Sequence, residues 1–253
     1  MPLTVAAVQC SAVPGDIRRN VARHVALARL AISYGASLIM FPELSLTGYE
    51  LDLAPTHEVT PDDALLTPIR SLATLSSVTV VAGGPVAGND GKRFIGALVF
   101  GPTGLQQIYT KVHVHISEQH VFDLGSGGEL LQIGGTAVAL AVCRDVSIPE
   151  HAAAAAASGA RVYAAGVMST EEDYGRKAAL LPQYARSHRM AVLLSNYSGV
   201  SGGDESAGKS AFWNEQGSQL AVAPQRGEGV VIATRTGDAW TADFIPATDS
   251  EWD

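Results

Sequence analysis

The chain has 253 residues, 47% of them apolar, which is ample material for one domain over 1–253 to bury a core without metals or disulfides. With 17 basic and 25 acidic side chains the net charge is −8 and no Lys/Arg run stands out, so nucleic acid is excluded as a general partner. No window approaches the roughly 20 uninterrupted apolar residues of a membrane span, and the start Met-Pro-Leu-Thr lacks a secretory signal, so the expectation is a cytoplasmic chain, not a membrane protein, with Cys10 and Cys143 as free thiols.

Residues 3–9 and 36–41 are apolar runs of strand length, while 18–33 between them carries apolar residues at helical spacing. The theme repeats with a helix over 61–76, strands over 78–83, 94–100 and 136–142, an alanine-rich helix from Pro149 and a strand over 161–167. A helix over 172–189 then precedes a strand over 191–196. Gly125–Gly128 predicts an ordinary turn, and Ser198–Gly208, almost wholly Gly, Ser and acidic residues, predicts a surface loop. Short strands resume over 210–213, 218–223 and 228–234, and the acidic residues Asp249 to Asp253 predict a solvated end. Strands and helices alternating early, then a strand-rich end, indicate an α/β protein whose helices cover the outer faces of its sheets.

Three constellations close apolar strands, where open α/β sheets place their ligands. Phe41-Pro42-Glu43, followed by Leu44 to Tyr49, sets a carboxylate straight after a buried strand, where it must be hydrogen-bonded or used as a base. Lys111, in Tyr109 to Glu118, brings a cation and a second carboxylate. Cys143 lies between a strand and the helix that begins near Pro149, and a helix N-terminus together with a nearby cation favours a thiolate. A base, a cation and a nucleophile are thereby each supplied once.

In this order the segments resemble the Glu, Lys and Cys motifs of the nitrilase, or carbon-nitrogen hydrolase, superfamily, with Glu118 matching the second glutamate of that family. The resemblance covers roughly residues 3 to 235, and Ala185-Arg186 and Gly208-Lys209-Ser210 through Gly217 support it. It implies an αββα four-layer sandwich, usually a homodimer or higher homo-oligomer, acting on a small-molecule amide without cofactor or metal. On this reading Glu43 is general base, Cys143 nucleophile and Lys111 the oxyanion stabiliser with help from the Arg144 N–H, and Glu118 holds the lysine in register. Tyr49, His115, Arg144 and Met168 are the candidate substrate-binding residues. The chain departs from the family pattern at Arg144 and Ser147, where an aromatic residue and an arginine are frequent, and at Asn214-Glu215 in place of Asp-Pro. An ω-amide of a dicarboxylic acid or an N-carbamoyl compound is the leading substrate class, with a small nitrile as alternative.

Blander readings stand beside these. Cys10, inside the first strand, is a packed core thiol. Glu43 and Lys111 could form a purely structural ion pair. His113, His115 and His120 invite a metal, but no cysteine or carboxylate completes the set, and pocket-mouth or hydrogen-bonding roles suit them better. Gly203 to Ser210 matches the phosphate-binding pattern Gly-x4-Gly-Lys-Ser, which would make a nucleotide-binding switch. That loop requires a strand directly before it and a helix directly after, whereas polar residues precede this one and Ala-Phe-Trp-Asn-Glu-Gln-Gly follows as strand and turn. Arg144 either pairs with Asp145 or Glu150 or faces the pocket to grip a substrate carboxylate.

Overall fold

A computed structural model describes residues 3–60 and 62–248. β1 (Leu3–Gln9) is buried along its whole length, so both of its faces must be covered by other elements. It leads into α1 (Ile17–Ser33), whose first turn is capped by Asp16, the side chain accepting the Arg19 N–H. β2 (Leu38–Met40), α2 (Thr67–Ser76) and β3 (Thr79–Ala87) complete an alternating unit, followed by β4 (Arg93–Gly101) and β5 (Gly104–Thr110). The second half runs β6 (Leu131–Ile133), β7 (Thr136–Val142), α3 (Pro149–Ala157), β8 (Val162–Gly166), α4 (Glu171–His188) and β9 (Ala191–Ser195). Short strands β10 (Val200–Ser201), β11 (Asp204–Glu205), β12 (Ala211–Trp213) and β13 (Gln219–Val222) precede the long hairpin of β14 (Gly229–Thr236) and β15 (Ala239–Pro246).

The strands form two main sheets, ordered β15-β14-β1-β2-β3-β4-β5 and β13-β12-β9-β8-β7-β6. Each has three parallel strands at its heart, β1, β2, β3 in one and β7, β8, β9 in the other, flanked by antiparallel neighbours. Because side chains alternate across a strand, the two faces of each sheet feed different cores. Val5, Ala7, Leu38, Met40 and Val81 meet Val138, Leu140, Val162, Ala164 and Leu193 between the sheets. On the outside of the first sheet Ala6, Val8, Ile39 and Val80 pack on Val21, Leu27 and Ala28 of α1 and on Ile69 and Ala73 of α2. On the outside of the second, Ala139, Ala141, Tyr163 and Ala165 pack on Ala152 and Ala155 of α3 and on Tyr174, Leu181 and Ala185 of α4. Helix, sheet, sheet, helix is therefore the layer order, as the resemblance implied.

Several elements differ from their sequence expectation. β5, β6 and β15 were not anticipated, and the helix expected over 61–76 becomes a 3₁₀ turn at Ala64–Leu66 followed by α2. Residue 61 and residues 249–253, including the expected acidic end, lie outside the described residues. The expected surface loop at Ser198–Gly208 holds the β10–β11 hairpin, and Ser206, Ala207 and Gly208 are buried. Asn196 anchors it, donating from Nδ2 to the Gly208 carbonyl at 2.8 Å. Among the described residues no helix is long and apolar enough to cross a membrane.

Candidate active site

β2 ends at Met40, and the chain turns sharply so that Glu43 enters the seam between the two sheets. Two glycines make the room. A Cβ on Gly83 of β3 would stand 2.4 Å from the Leu44 nitrogen, and one on Gly166 of β8 would stand 2.6 Å from the Phe41 carbonyl oxygen. Leu44 takes the left-handed conformation that few side chains adopt, at φ +51°. The turn is braced from the helix side by Ser45, whose hydroxyl donates to His24 Nε2 at 2.8 Å while His24 Nδ1 donates to the Asn20 carbonyl at 2.7 Å. Burial pushes His24 down to about 4, which keeps this imidazole neutral. From the other sheet, the Tyr197 hydroxyl donates to the Glu43 carbonyl at 2.7 Å.

Lys111 directly follows β5, its N–H bonded to the Ile95 carbonyl at 2.9 Å and its carbonyl accepting the Gly125 N–H at 2.8 Å. The turn at Gly125–Gly128 thus braces the lysine. Lys111 Nζ donates to Glu43 Oε1 at 2.6 Å and to both oxygens of Glu118 at 2.8 Å, which occupies all three of its N–H groups. Glu118 also accepts the Tyr49 hydroxyl at 2.5 Å and the His115 N–H at 2.7 Å. Glu43, Lys111 and Glu118 are all buried, a burial tolerable only because each charge is paired and hydrogen-bonded.

Cys143 opens a 3₁₀ turn, Cys143–Ser147, at the end of β7 and takes the left-handed conformation at φ +45°. Such strain persists only where surrounding bonds enforce it. Asp145 supplies them. Its buried carboxylate accepts the N–H groups of Val142 at 3.0 Å and His113 at 2.8 Å and the Tyr109 hydroxyl at 2.7 Å. The cysteine turn is thereby stapled to the lysine segment. The Cys143 thiol reaches the Met168 carbonyl at 3.6 Å, and the Met168 N–H donates to Glu43 Oε2 at 3.3 Å.

Burial pushes the Cys143 thiol up to about 12, Glu43 adds to the rise, and Lys177 and then Lys111 oppose it. Burial likewise pushes Glu43 up to about 7, against the pull of Lys111 and with the Glu118 carboxylate adding to the rise. Lys111 is held above its ordinary value: burial disfavours its charge, but the neighbouring acidic groups outweigh that. The resting arrangement is a neutral thiol beside a carboxyl that titrates near neutrality.

Cys143 floors a cavity of about 480 Å³, and Tyr49, His115, Glu118, Arg144 and Met168 all line it. Of the two readings of Arg144, the pairing with Asp145 or Glu150 is not made: the residue lines the cavity and forms no ion pair among the described residues. His113 bonds Asp145 through Nδ1 at 3.0 Å, while His120 is exposed and away from the cavity. No group of three or more His, Cys, Asp or Glu that could hold a metal is found among the described residues. Lys209 pairs with Glu171 and lies over the Tyr174 ring, with strand rather than helix following it. Cys10 is buried in the core of the first sheet.

The lining residues that escaped the sequence reading include Asp173 and Lys177 of α4. A signal was there. Tyr174, Lys177, Leu181, Tyr184 and Ala185 fall on one helical stripe of α4, so a lysine occupies a position where the pattern calls for an apolar side chain.

A nitrilase from Pyrococcus abyssi is 27% identical over 85% of this chain and 82% of its own length. An (R)-stereoselective amidase from Pseudomonas sp is 26% identical over 78% of this chain and 71% of its own. A double mutant of the amidase from Nesterenkonia sp. AN1, in complex with acrylamide, superposes with a TM-score of 0.83 at 26% identity, covering 93% of this chain and 91% of that one. In a further mutant of that amidase acrylamide is added to the active-site cysteine. The carbon-nitrogen hydrolase profile matches residues 4–242, nearly the whole described chain, and the protein belongs to that family of enzymes, which hydrolyse carbon–nitrogen bonds.

Proposed function

We propose that the protein is a thiol amidase acting on small primary amides, with Cys143 as nucleophile, Glu43 as general base, and Lys111 and Glu118 completing the site. The observation that carries this reading is the convergence of Glu43 and Glu118 on the one ammonium of Lys111, beside the cavity floored by Cys143. Attack forms the sulfur–carbon bond as Glu43 takes the thiol proton, and the carbonyl electrons move onto oxygen. Lys111 supplies charge for that oxyanion. A directed donor comes from the Arg144 N–H, which sits in the first turn of a 3₁₀ segment where backbone N–H groups lack an internal acceptor. Glu43 then passes its proton to nitrogen, the carbon–nitrogen bond breaks and ammonia leaves. Water, deprotonated by Glu43, opens the thioester, releasing the acid and restoring the thiol. Glu118, held by Tyr49 and the His115 N–H, keeps Lys111 in place throughout. An ω-amide of a dicarboxylic acid is the substrate class we favour, and the relative named a nitrilase motivates including small nitriles as the alternative.

The test is ammonia release from a panel of small amides and nitriles, with intact mass recorded for an acyl adduct on Cys143. Glu43→Gln and Lys111→Ala are each expected to slow turnover by about a hundredfold or more. Turnover unaffected in both would remove the mechanism. The family resemblance also supports a homo-oligomer, and two unpaired cysteines suit a reducing cytoplasm, which light scattering of the purified chain and localisation of a tagged copy would check.

A further inference from the structure

Lys177 carries a burden that packing alone does not call for. Its side chain is 2% exposed and sits on the core-facing stripe of α4 between Tyr174 and Leu181, where an aliphatic residue would fill the space without burying a charge. It lines the same cavity as Cys143. Its partner is Asp173, whose Oδ2 also accepts the Ser169 hydroxyl at 2.9 Å, so the carboxylate that holds the lysine is itself held.

The two lysines of the site differ in what they have left to give. Lys111 has spent its three N–H groups on Glu43 and Glu118. Lys177 spends one on Asp173 and has no other acceptor among the described residues. Arg144 lines the same cavity and forms no ion pair among the described residues. A buried ammonium with donors to spare and a guanidinium without a counter-ion fit a substrate acceptor that is charged and has two oxygens.

We infer that Lys177, fixed by Asp173, is a specificity-determining residue that binds a carboxylate on the substrate, with Arg144 closing over the same group from the cavity wall. The inference rests on the amidase reading and deepens it. A primary amide loses only ammonia, so this carboxylate belongs to the acyl chain, which makes the preferred substrates ω-amides of short dicarboxylic acids. An amine in that position would meet two cations instead.

The experiment compares kcat/KM for succinamate and glutaramate with that for their branched alkyl isosteres, 4-methylpentanamide and 5-methylhexanamide. The parent is expected to favour one of the acids by at least tenfold. Lys177→Met should cut that ratio tenfold or more through KM for the acid, and Lys177→Arg should recover a measurable part. If Lys177→Met fails to fold because Asp173 is left unpaired, the double variant Lys177→Met/Asp173→Asn carries the comparison. Calorimetric binding of the same acids to Cys143→Ala, with and without Lys177→Met, reads the subsite without turnover, so a chain that hydrolyses no amide would sink the amidase reading while this binding still decides the subsite. A parent ratio near one, a ratio untouched by Lys177→Met, or a preference lost in Arg144→Ala and intact in Lys177→Met would each overturn the assignment.

Discussion

Glu43 is a base whose usefulness depends on where it titrates. Burial lifts it to about 7, so kcat/KM should rise roughly tenfold per pH unit on the acid side and level off near neutrality, once the carboxylate is free to take the thiol proton. Stability moves the opposite way. A carboxyl raised in the folded state contributes stability that is present below its ordinary value near 4.5 and lost as pH rises through about 7. A pH–rate profile with its acid limb near 4.5 would show that Glu43 is not the titrating base. The two cysteines separate cleanly at this scale. Cys143→Ala should abolish hydrolysis with the fold intact, whereas Cys10→Ala, remote from the cavity and packed in the outer core, should keep activity and cost about 1 kcal/mol of stability. Thermal melts and turnover of both variants check this. Asp145 touches no substrate, yet Asp145→Ala strands the N–H groups of Val142 and His113. The expected loss is about 3 kcal/mol, or roughly 6–12 °C in Tm.

At the scale of elements, the turn after β2 is the part with least freedom. Gly83→Ala and Gly166→Ala leave every proposed reacting group unchanged, but each pushes a methyl into the Phe41–Leu44 backbone. Displacing Glu43 by about 1 Å should cost about a hundredfold in kcat, and a smaller effect on KM would distinguish this from general unfolding. The strand-end motifs around Glu43 and Cys143 were legible because apolar runs of strand length stop abruptly at a charged or thiol residue, whereas Lys111 follows β5, whose Gln106 and Gln107 leave no such run to read. Strand β15 went unread although Trp240, Ala242 and Phe244 alternate with the exposed Thr241 and Asp243, because the run is short and Ile245 and Pro246 break the period. The loop beyond Asn196 misled for a related reason. Its composition is that of solvent-exposed chain, but Ser206 is buried, with its hydroxyl donating to the Tyr197 carbonyl at 2.9 Å. Composition reports polarity and is silent about satisfied polarity. In the same segment Lys209 is committed to Glu171, so ATP with magnesium should leave the Tm unchanged, and an upward shift that vanishes in Lys209→Ala would restore the nucleotide reading.

For the whole molecule, the covering of the sheets by helices followed from continuous apolar runs of strand length, strands apolar on both faces that only a structure covered on two sides can bury. What no local pattern carried was the pairing across the seam. Met168 and Glu43 are 125 residues apart, and Ser195 donates to the Val8 carbonyl over 187. Glu43, Lys111 and Glu118 hang from one sheet, while Cys143 and Met168 hang from the other. Neither half can therefore be competent before the two sheets have docked. Closing such long loops is slow, and the search for the seam is expected to limit refolding. During refolding from denaturant, far-ultraviolet ellipticity should return ahead of hydrolytic activity. The lag between the two signals would time the meeting of the sheets, with the enzyme serving as its own reporter of assembly.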